Sequence, residues 1–556
     1  MQRNAAGGHG YTKGMARDLS VYHARTRTRG VNPFVYWPTR IVLQPLLMLL
    51  FWLKRIGREH VPATGGVILA PNHRSFLDPW VVGICLRRPV YFVAKQELFR
   101  KRWMGWFLNS LGAFPVKRGE SDEEAMETAR LLVERGNVLL IFPEGTRIRR
   151  GSLGDPKRGV GRLALETGAP VVPVAVMGTE RARRGIIVRP CKVRVRCGRP
   201  LTFPHVEKPS AHLASEVTAR IWPCVELQYE WLGGIPALRT AAVVGAGPMG
   251  TALASLLARA GLEVELGCRT YEQAERIAGA GANHDRLPGV ELPAAVSATP
   301  VSKIEFQAVD LVVFAVPSRD LPAAVGEVAA SIGRRTAVVV CSKGLVRPFG
   351  MRPSEYVAER VVARGVAALA GPAHAAEAAM GAASLVVASQ DADLRRQLVR
   401  VFEKAGSGVE ETDDVVGAEL AACGKNVAAL AASAAAVHRI NDAGTAASRV
   451  FAEVHALAKR EGARTETFIG TAGVGDLVAT VIAEGSRNRR AGEMLAHGAR
   501  PDEIRAALGE TPEALDAVPL LEQVLERHGL PALAVTELAT LVEGREQAPE
   551  RAAAAR

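Results

Sequence analysis

The spacing of hydrophobic and polar positions changes several times along this chain, and each change marks a different kind of element. The first 30 residues hold few apolar side chains and many Arg and Gly, so residues 1–34 are expected to be disordered or loosely attached. An apolar stretch follows at 35–53. Its uninterrupted part, 46–53, is far shorter than the roughly 20 residues a membrane span requires. Aromatic residues at both ends, with Arg40, Lys54 and Arg55 as flanks, suit a helix lying in a membrane interface. An ordinary packing helix reads equally well. From Gly66 the pattern becomes short apolar runs at 67–70, 90–94, 138–142, 171–177 and 192–197, each bounded by polar or turn residues. Helical periodicity separates two of them at 123–135, and a helix over about 211–232 closes the unit. Buried strands alternating with helices predict a mostly parallel sheet in a domain covering 35–235.

Gly233-Gly234-Ile235-Pro236 is a natural hinge. Beyond it the pattern restarts with a strand at 241–244, glycines at Gly245, Gly247 and Gly250, and a helix over 251–260. Strand, glycine turn and helix N-terminus form a phosphate cradle. The first glycine permits a tight turn, the second lets a pyrophosphate approach the backbone, and the third lets helix and strand pack closely. Pro248 and Met249 complete that loop. Further strands at 264–267, 311–316 and 337–341 predict a Rossmann-type doubly wound domain over 239–414. From Val415 the strand signal stops, and helices with 3.6-residue periodicity make an all-α domain over 415–545, followed by a disordered tail at 546–556. The fold class is therefore α/β multidomain: an α/β domain, a doubly wound domain, then helices.

Charge alters the picture of the first half. Residues 1–239 carry 38 Lys and Arg against 18 Asp and Glu, a net +20, whereas the remainder holds 32 against 39, a net −7. A basic half seeks an anionic partner. No aromatic–basic nucleic-acid motif is present, so the partner expected is a membrane surface and not nucleic acid. Seven cysteines are dispersed without a C-x-x-C pair, which fits reduced thiols in the cytoplasm and argues against a disulfide framework or a metal site. No cleavable signal peptide is expected from the Arg-rich, polar first 40 residues.

Two segments of the first half carry chemistry. Asn72-His73-Arg74-Ser75-Phe76-Leu77-Asp78 follows a predicted strand. A carboxylate can hold the imidazole tautomer and steady its positive charge, while the other ring nitrogen takes a proton from a hydroxyl. Phe142-Pro143-Glu144-Gly145-Thr146-Arg147 also follows a strand, placing backbone amides and a guanidinium where a phosphate could be held. Together with Gly112 to Arg118 and Val171-Val172-Pro173-Val174, these blocks make residues 40–200 resemble the 1-acylglycerol-3-phosphate O-acyltransferase family. The resemblance implies that His73 is the general base oriented by Asp78. It implies that Arg118, Glu144, Gly145, Thr146 and Arg147 form the acceptor phosphate site, and that the acyl donor is acyl-CoA or an acyl carrier protein.

A lone glycine loop is weak, but the second half carries more. Ser342-Lys343-Gly344-Leu345, Gly371-Pro372, Gly424-Lys425-Asn426-Val427, Gly473-Val474-Gly475-Asp476-Leu477 and Ser486-Arg487-Asn488 follow in order. They resemble the NAD(P)-dependent glycerol-3-phosphate dehydrogenases over nearly all of 239–545. The resemblance implies that Lys425 and Asp476 are catalytic, that Ser486, Arg487, Asn488 and Gly371 bind substrate, and that Lys343 lines both substrate and nicotinamide. Glu513 would stand on the cofactor side with Gly245, Gly247, Pro248, Met249 and Gly250. The second strand ends in Gly267-Cys268-Arg269 with no acidic residue for a ribose hydroxyl, so Arg269 could meet a 2′-phosphate, and either NAD or NADP is admitted. The chain departs from the family at Pro248-Met249, Ala373, Ala443 and Ala514.

Together the resemblances imply a bifunctional enzyme of glycerophospholipid precursors. One half would acylate 1-acylglycerol 3-phosphate to phosphatidate, and the other would interconvert dihydroxyacetone phosphate and sn-glycerol 3-phosphate. Two alternatives stand beside this: glycerol 3-phosphate itself as acyl acceptor, or a second half that binds a dinucleotide without catalysis. The expected setting is cytoplasmic, peripheral to the inner face of the cell membrane, with room for a homodimer.

Overall fold

Runs of β-branched and aliphatic residues too short for helices form two separate sheets, each parallel except for one antiparallel pair, in the computed structural model, which describes residues 19–117, 122–148, 152–184, 187–348, 350–509 and 512–544. Contacts divide the chain between Ala237 and Leu238 into two units. In the first, α1 spans Ser20–Arg29, α2 Pro33–Leu50, β1 Lys54–Ile56, β2 Val67–Pro71, α3 Asp78–Cys85 and β3 Val90–Lys95. Then come α4 (Arg102–Ser110), β4 (Ala113–Val116), α5 (Glu123–Glu134), β5 (Val138–Leu140), α6 (Gly159–Thr167) and β6 (Val171–Met177). A small ribbon of β7 (Arg183–Arg184) and β8 (Ile187–Val188) precedes β9 (Arg194–Cys197) and α7 (Ala211–Trp231).

The sheet runs β1-β9-β6-β2-β5-β3-β4, parallel throughout except where β9 lies antiparallel to β6. Both faces are covered, as parallel sheets require. Val81, Phe99 and Leu108 pack on one side; Leu132, Leu163, Ile221 and Val225 pack on the other. β5 stops at Leu140, two residues before the apolar run ends, because the Gly145 amide donates to the Phe142 carbonyl (3.1 Å) and closes a turn. The chain is helical over Ser20–Arg29, where composition predicted disorder. That helix is anchored by polar side chains: His23 Nδ1 lies 3.0 Å from Thr128 Oγ1, and Asn109 Nδ2 donates to Thr26 Oγ1 at 2.7 Å. Its sequence carries no apolar stripe, which is why periodicity does not reveal it. Residues 1–18 and the tail at 545–556 lie outside the described residues.

The second unit begins with β10 (Thr240–Val244), α8 (Pro248–Arg259), β11 (Glu263–Cys268), α9 (Tyr271–Ala280), β12 (Val296–Pro300) and β13 (Leu311–Phe314). It continues through α10 (Leu321–Val328), β14 (Ala337–Val340), α11 (Pro353–Arg360), β15 (Gly365–Ala370), α12 (Ala375–Ala379), β16 (Ser384–Ala388), α13 (Ala392–Lys404) and β17 (Gly408–Thr412). The strand order is β12-β11-β10-β13-β14-β15-β16-β17, so the order reverses beside β10. A reversal of this kind opens a crevice at the carboxyl ends of the strands, where dinucleotides bind in doubly wound sheets.

Helices follow: α14 (Val415–Ala436), α15 (Ile440–Arg460), α16 (Thr465–Ile469), α17 (Asp476–Ile482), α18 (Arg487–Ala496), α19 (Pro501–Leu508), α20 (Glu513–Arg527) and α21 (Leu533–Glu543). α14 is the axis of this bundle. Among the described residues it is the one single helix long and apolar enough to cross a membrane, yet 89% of its apolar window is buried inside the protein. Small residues set the spacing around it. A Cβ on Gly492 of α18 would stand 2.5 Å from the Leu430 carbonyl, so glycine is needed for that helix to lie against α14.

Candidate active sites

In the first unit the site is built on the end of β2. Asn72, fully buried, donates from Nδ2 to the Val176 carbonyl (3.0 Å) and accepts the Val176 amide (2.7 Å), fastening the loop to β6. His73 Nδ1 lies 2.8 Å from Asp78 Oδ2. That oxygen also accepts the amides of Arg74 (2.6 Å) and Ser75 (2.7 Å), while Oδ1 accepts the Thr179 hydroxyl (2.5 Å). With two backbone amides and a hydroxyl donating to it, this carboxylate serves as an acceptor toward the imidazole as well. The proton then sits on Nδ1 of His73, and Nε2 is the ring's lone-pair nitrogen. The imidazole stacks on Phe142 with ring centroids 3.9 Å apart, which fixes its plane.

The Phe142–Arg147 motif is divided by the structure. Gly145 has φ +64°, a left-handed turn that favours glycine, and Thr146 and Arg147 are exposed beyond it. Glu144 does not join them as a phosphate ligand. It is 3% exposed and turns inward, accepting the His73 amide (2.5 Å) on Oε2 and the Gly154 amide (2.8 Å) on Oε1. Burial raises its carboxyl to about 7, against the pull of those two amides. An acceptor group committed to backbone amides braces His73 and cannot donate to phosphate. Lys157 was not legible as part of this site. Its amide donates to the Pro143 carbonyl (2.8 Å), and a Cβ on Gly145 would stand 3.4 Å from its ammonium, so a cation lies directly on the glycine turn. Arg118 lies outside the described residues.

In the second unit the glycine loop adopts its expected shape. Gly245 has φ +113°, and a Cβ on Gly250 would meet the Gly245 carbonyl at 1.8 Å. Nothing stands within 4 Å of a Cβ placed on Gly247, so the cradle is open to a ligand. Pro248 takes the first position of α8, where its ring is pre-shaped for the helix. It carries no N–H, which leaves the first-turn amides of Met249 and Gly250 to face an anion. Asn283 holds the loop from behind, donating from Nδ2 to the Ala246 carbonyl (3.1 Å) and to Thr251 Oγ1 (2.8 Å). Arg269 is exposed at the end of β11, and its guanidinium has no carboxylate partner among the described residues.

The catalytic candidates converge from three elements. Asp476, at the start of α17 after a π-turn at Thr471–Gly475, is 3% exposed. Its Oδ2 lies 2.8 Å from Lys343 Nζ and its Oδ1 3.1 Å from Lys425 Nζ. Lys343 also donates to the Gly371 carbonyl (2.8 Å), and Lys425 to Thr480 Oγ1 (2.9 Å). Gly371 has φ +95°, and a Cβ there would stand 2.5 Å from the Ser384 carbonyl, so its position depends on glycine. Burial, then the neighbouring Lys343 charge, lowers the Lys425 ammonium to about 8 despite the Asp476 carboxylate. Burial alone would raise Asp476, but the two ammoniums outweigh it and hold the carboxyl below its usual range.

Supporting residues complete this site. Ser486 is the N-cap of α18, accepting the Arg489 amide (3.3 Å), which places Arg487 and Asn488 in the first turn. Asn488 Nδ2 donates to Asn426 Oδ1 (2.8 Å), and Asn426 Nδ2 donates to the Lys343 carbonyl (3.2 Å). Asn488 Oδ1 is buried without a partner, an orphan acceptor such as a bound ligand would satisfy. Glu513 reaches the site through the backbone: its carboxylate accepts the amides of Ser318 (3.1 Å) and Lys343 (3.3 Å). Asn426 and Thr480 have no assigned role at sequence level, although Asn426 adjoins Lys425 and Thr480 lies one helical turn beyond Asp476. Among the described residues no group of His, Cys, Asp and Glu is placed to hold a metal ion.

A doubly wound sheet with an open glycine cradle, joined to a helical domain that buries a lysine–aspartate–lysine cluster, defines a dinucleotide-dependent oxidoreductase. Comparison with known proteins agrees. Residues 240–395 and 414–553 match the models for the N-terminus and C-terminus of NAD-dependent glycerol-3-phosphate dehydrogenase, and residues 53–177 match the acyltransferase model. The glycerol-3-phosphate dehydrogenase [NAD(P)+] of Chelativorans sp. is 34% identical over 290 residues, 52% of this chain and 89% of the relative. The enzyme of that name from Deinococcus radiodurans is 37% identical over 305 residues, 54% of this chain and 90% of the relative. The crystal structure of glycerol-3-phosphate dehydrogenase from Coxiella burnetii superposes with a TM-score of 0.53 at 26% identity, covering 57% of this chain and 98% of that one. The chain belongs to the NAD(P)-dependent glycerol-3-phosphate dehydrogenase family through its second unit and carries an acyltransferase-family domain in its first.

Proposed function

We propose that the chain catalyses two reactions on the glycerol-phosphate backbone, one in each unit. The observation that carries this reading is the pairing of a buried His73–Asp78 dyad with a buried Lys343–Asp476–Lys425 cluster, each inside the region that matches its family. In the first unit, His73 Nε2 takes the proton of the acceptor hydroxyl, whose oxygen attacks the thioester carbonyl of acyl-CoA or an acyl carrier protein. The C–S bond breaks and the leaving thiolate takes that proton from the imidazolium, which Asp78 stabilises throughout. Arg147, Lys157, Arg118 and the Gly145 turn hold the acceptor phosphate, and 1-acylglycerol 3-phosphate becomes phosphatidate.

In the second unit, NAD or NADP supplies hydride chemistry when bound at the glycine cradle, which Gly247 leaves open. Lys425 gives a proton to the oxygen at C2 of dihydroxyacetone phosphate and stabilises its developing charge. Asp476 holds Lys425 and Lys343 in place, and the first turn of α18, with Arg487 and Asn488, receives the substrate phosphate. The test is to incubate the whole chain with dihydroxyacetone phosphate, NADH or NADPH, an acyl thioester and 1-acylglycerol 3-phosphate. Cofactor oxidation and phosphatidate formation are both expected. No oxidation would remove the dehydrogenase assignment; no phosphatidate would remove the acyl-transfer assignment, and acylation of glycerol 3-phosphate instead would change the acceptor.

The first unit is also proposed to dock on the inner, cytoplasmic face of the cell membrane. α2 buries Tyr36 and Leu47 but exposes Phe34, Ile41, Val42, Leu46 and Leu49 along its other face, with Trp52 beyond its end. α4 presents Trp103 and Trp106 beside Lys101 and Arg102, all exposed. Apolar rows with aromatic and basic neighbours suit an anionic bilayer surface. Burying one leucine-sized side chain contributes about 1.5–3 kcal/mol. Ile41→Glu combined with Leu49→Glu is therefore expected to weaken cosedimentation with phosphatidylglycerol vesicles at least ~10-fold; undiminished binding would exclude this face.

A further inference from the structure

Arg74 is the largest fully buried side chain among the described residues, at 2% exposure, and it carries a charge. Arginine is seldom buried unless it is paired on several sides. Its Nη1 donates to the Ile148 carbonyl (2.9 Å) and its Nη2 to the Tyr229 hydroxyl (2.5 Å), while Cζ lies 4.7 Å from the Tyr229 ring centroid. Its own amide donates to Asp78 Oδ2. The Ile148 amide donates in turn to the His73 carbonyl (2.8 Å), so one main-chain bond and one guanidinium bond join residues 73–74 to Ile148. Ile148 directly follows the exposed Arg147, and Tyr229 belongs to the closing helix α7.

We propose that Arg74 is a positioning residue for acyl transfer: its guanidinium locks the phosphate loop 142–148 and helix α7 onto the segment that carries His73. The inference rests on the acyl-transfer reading of this site. A planar fork is required for the task, because it reaches a carbonyl and a phenol at once and lies against an aromatic ring. Lysine is a point charge on a flexible stem and satisfies one of these partners. The Arg74 charge also acts on the buried carboxyl of Glu144, drawing it down from the level that burial would impose. The charged and titratable groups facing Glu144 are His73, Arg74 and Asp78, with Lys157 on the adjoining turn. Removing the buried Arg74 cation favours proton binding by Glu144. Glu144 must be ionised to accept both amides, so activity that depends on it is lost as pH falls through about 7, and at a higher pH once Arg74 is gone.

The experiment uses the full chain, with acyl transfer from acyl-CoA to 1-acylglycerol 3-phosphate followed from pH 5.5 to 9. Dihydroxyacetone phosphate reduction reports in the same sample that the rest of the chain is intact. Arg74→Met is expected to lower kcat/KM about 100-fold, the scale of a loop displaced by about 1 Å, with KM for the phosphate-bearing acceptor raised and the acid limb moved upward. Arg74→Lys is expected to keep the parental acid limb but not the parental kcat/KM. Tyr229→Phe, which removes a hydroxyl and nothing else, is expected to cost several-fold and leave the pH profile in place. Parental kcat/KM in Tyr229→Phe or Arg74→Lys, or an unmoved acid limb in a folded Arg74→Met, overturns the proposal. Amide hydrogen exchange over 142–148 separates this inference from the assignment of activity. Arg74→Lys is expected to accelerate exchange at Ile148 at least ~10-fold even if no acyl transfer is detected, and unchanged protection there overturns the staple.

Discussion

Lys425→Ala is expected to lower kcat for dihydroxyacetone phosphate reduction about 10³-fold or more, with KM for the cofactor little changed. The expectation follows from two losses at one position. A positioned general acid contributes 10²–10⁴-fold, and a buried charge aimed at a developing oxyanion adds to that. Water can supply the proton but not the fixed charge. The variant should remain folded, because Asp476 keeps its 2.8 Å bond to Lys343 and the side chain removed is a buried cation whose desolvation is costly. Oxidation of reduced cofactor at 340 nm, beside a thermal melt, measures both effects; an alanine variant as fast as the parent would show that Lys425 is not the acid.

The pH dependence of the parent carries the same information. Lys425 loses its proton near pH 8, so carbonyl reduction should decline as pH rises through about 8. The sign for stability is opposite. The native lysine binds its proton less tightly than the unfolded chain does, where the ordinary value is 10.5. Between about 8 and 10.5 the unfolded state therefore holds more protons, and this residue's contribution to stability improves with rising pH over that window. Activity and stability should thus move in opposite directions above pH 8.

His73→Ala is expected to reduce acyl transfer at least ~10³-fold while leaving dihydroxyacetone phosphate reduction unaltered. The two activities separate because each unit has its own cores: the residues around Val81 and Leu163 belong to the first, those around Leu256 and Leu430 to the second. The backbone bonds at position 73 survive the substitution, since Glu144 and Ile148 both address the main chain. Asp78 is a poorer choice for the same test. Its carboxylate accepts two amides and a hydroxyl besides the imidazole, so removing it would leave several buried donors without partners and destabilise the loop as well as the base. Mass analysis of phosphatidate from the His73 variant decides the matter: product formed at the parental rate would leave the reaction without its assigned base.

Much of this protein is determined locally and can be read from the chain. β2, β6, β10 and β13 are apolar runs buried on both faces, and short range decides them. The glycine positions are dictated by steric needs that no other residue meets, as at Gly245 and Gly250. Other elements leave weaker traces. β12 and β17 are half-exposed edge strands, and β15 is built largely of glycine and alanine. α1 has no apolar stripe and is held by Thr128 and Asn109, about 80 to 105 residues away.

The sites show the same division. The sequence by itself placed His73 and Asp78 in a loop after a strand, Asp476 directly after a glycine turn, and Lys425 inside an apolar helical segment. Only the tertiary structure decided what each side chain addresses. Glu144 turns from the phosphate to the amides of His73 and Gly154 because the loops 73–78 and 142–154 meet there. Lys343, Lys425 and Asp476 share one cluster although they lie on a loop after β14 and on two different helices, and their shifted ionisation follows from that meeting and from burial. Pro248 follows the same logic. It is a departure from the family motif, yet at the first position of α8 its ring suits the helix and withholds a single N–H from the cradle that opens the second unit. Composition and spacing set which groups are available; desolvation and long-range contact set what those groups do.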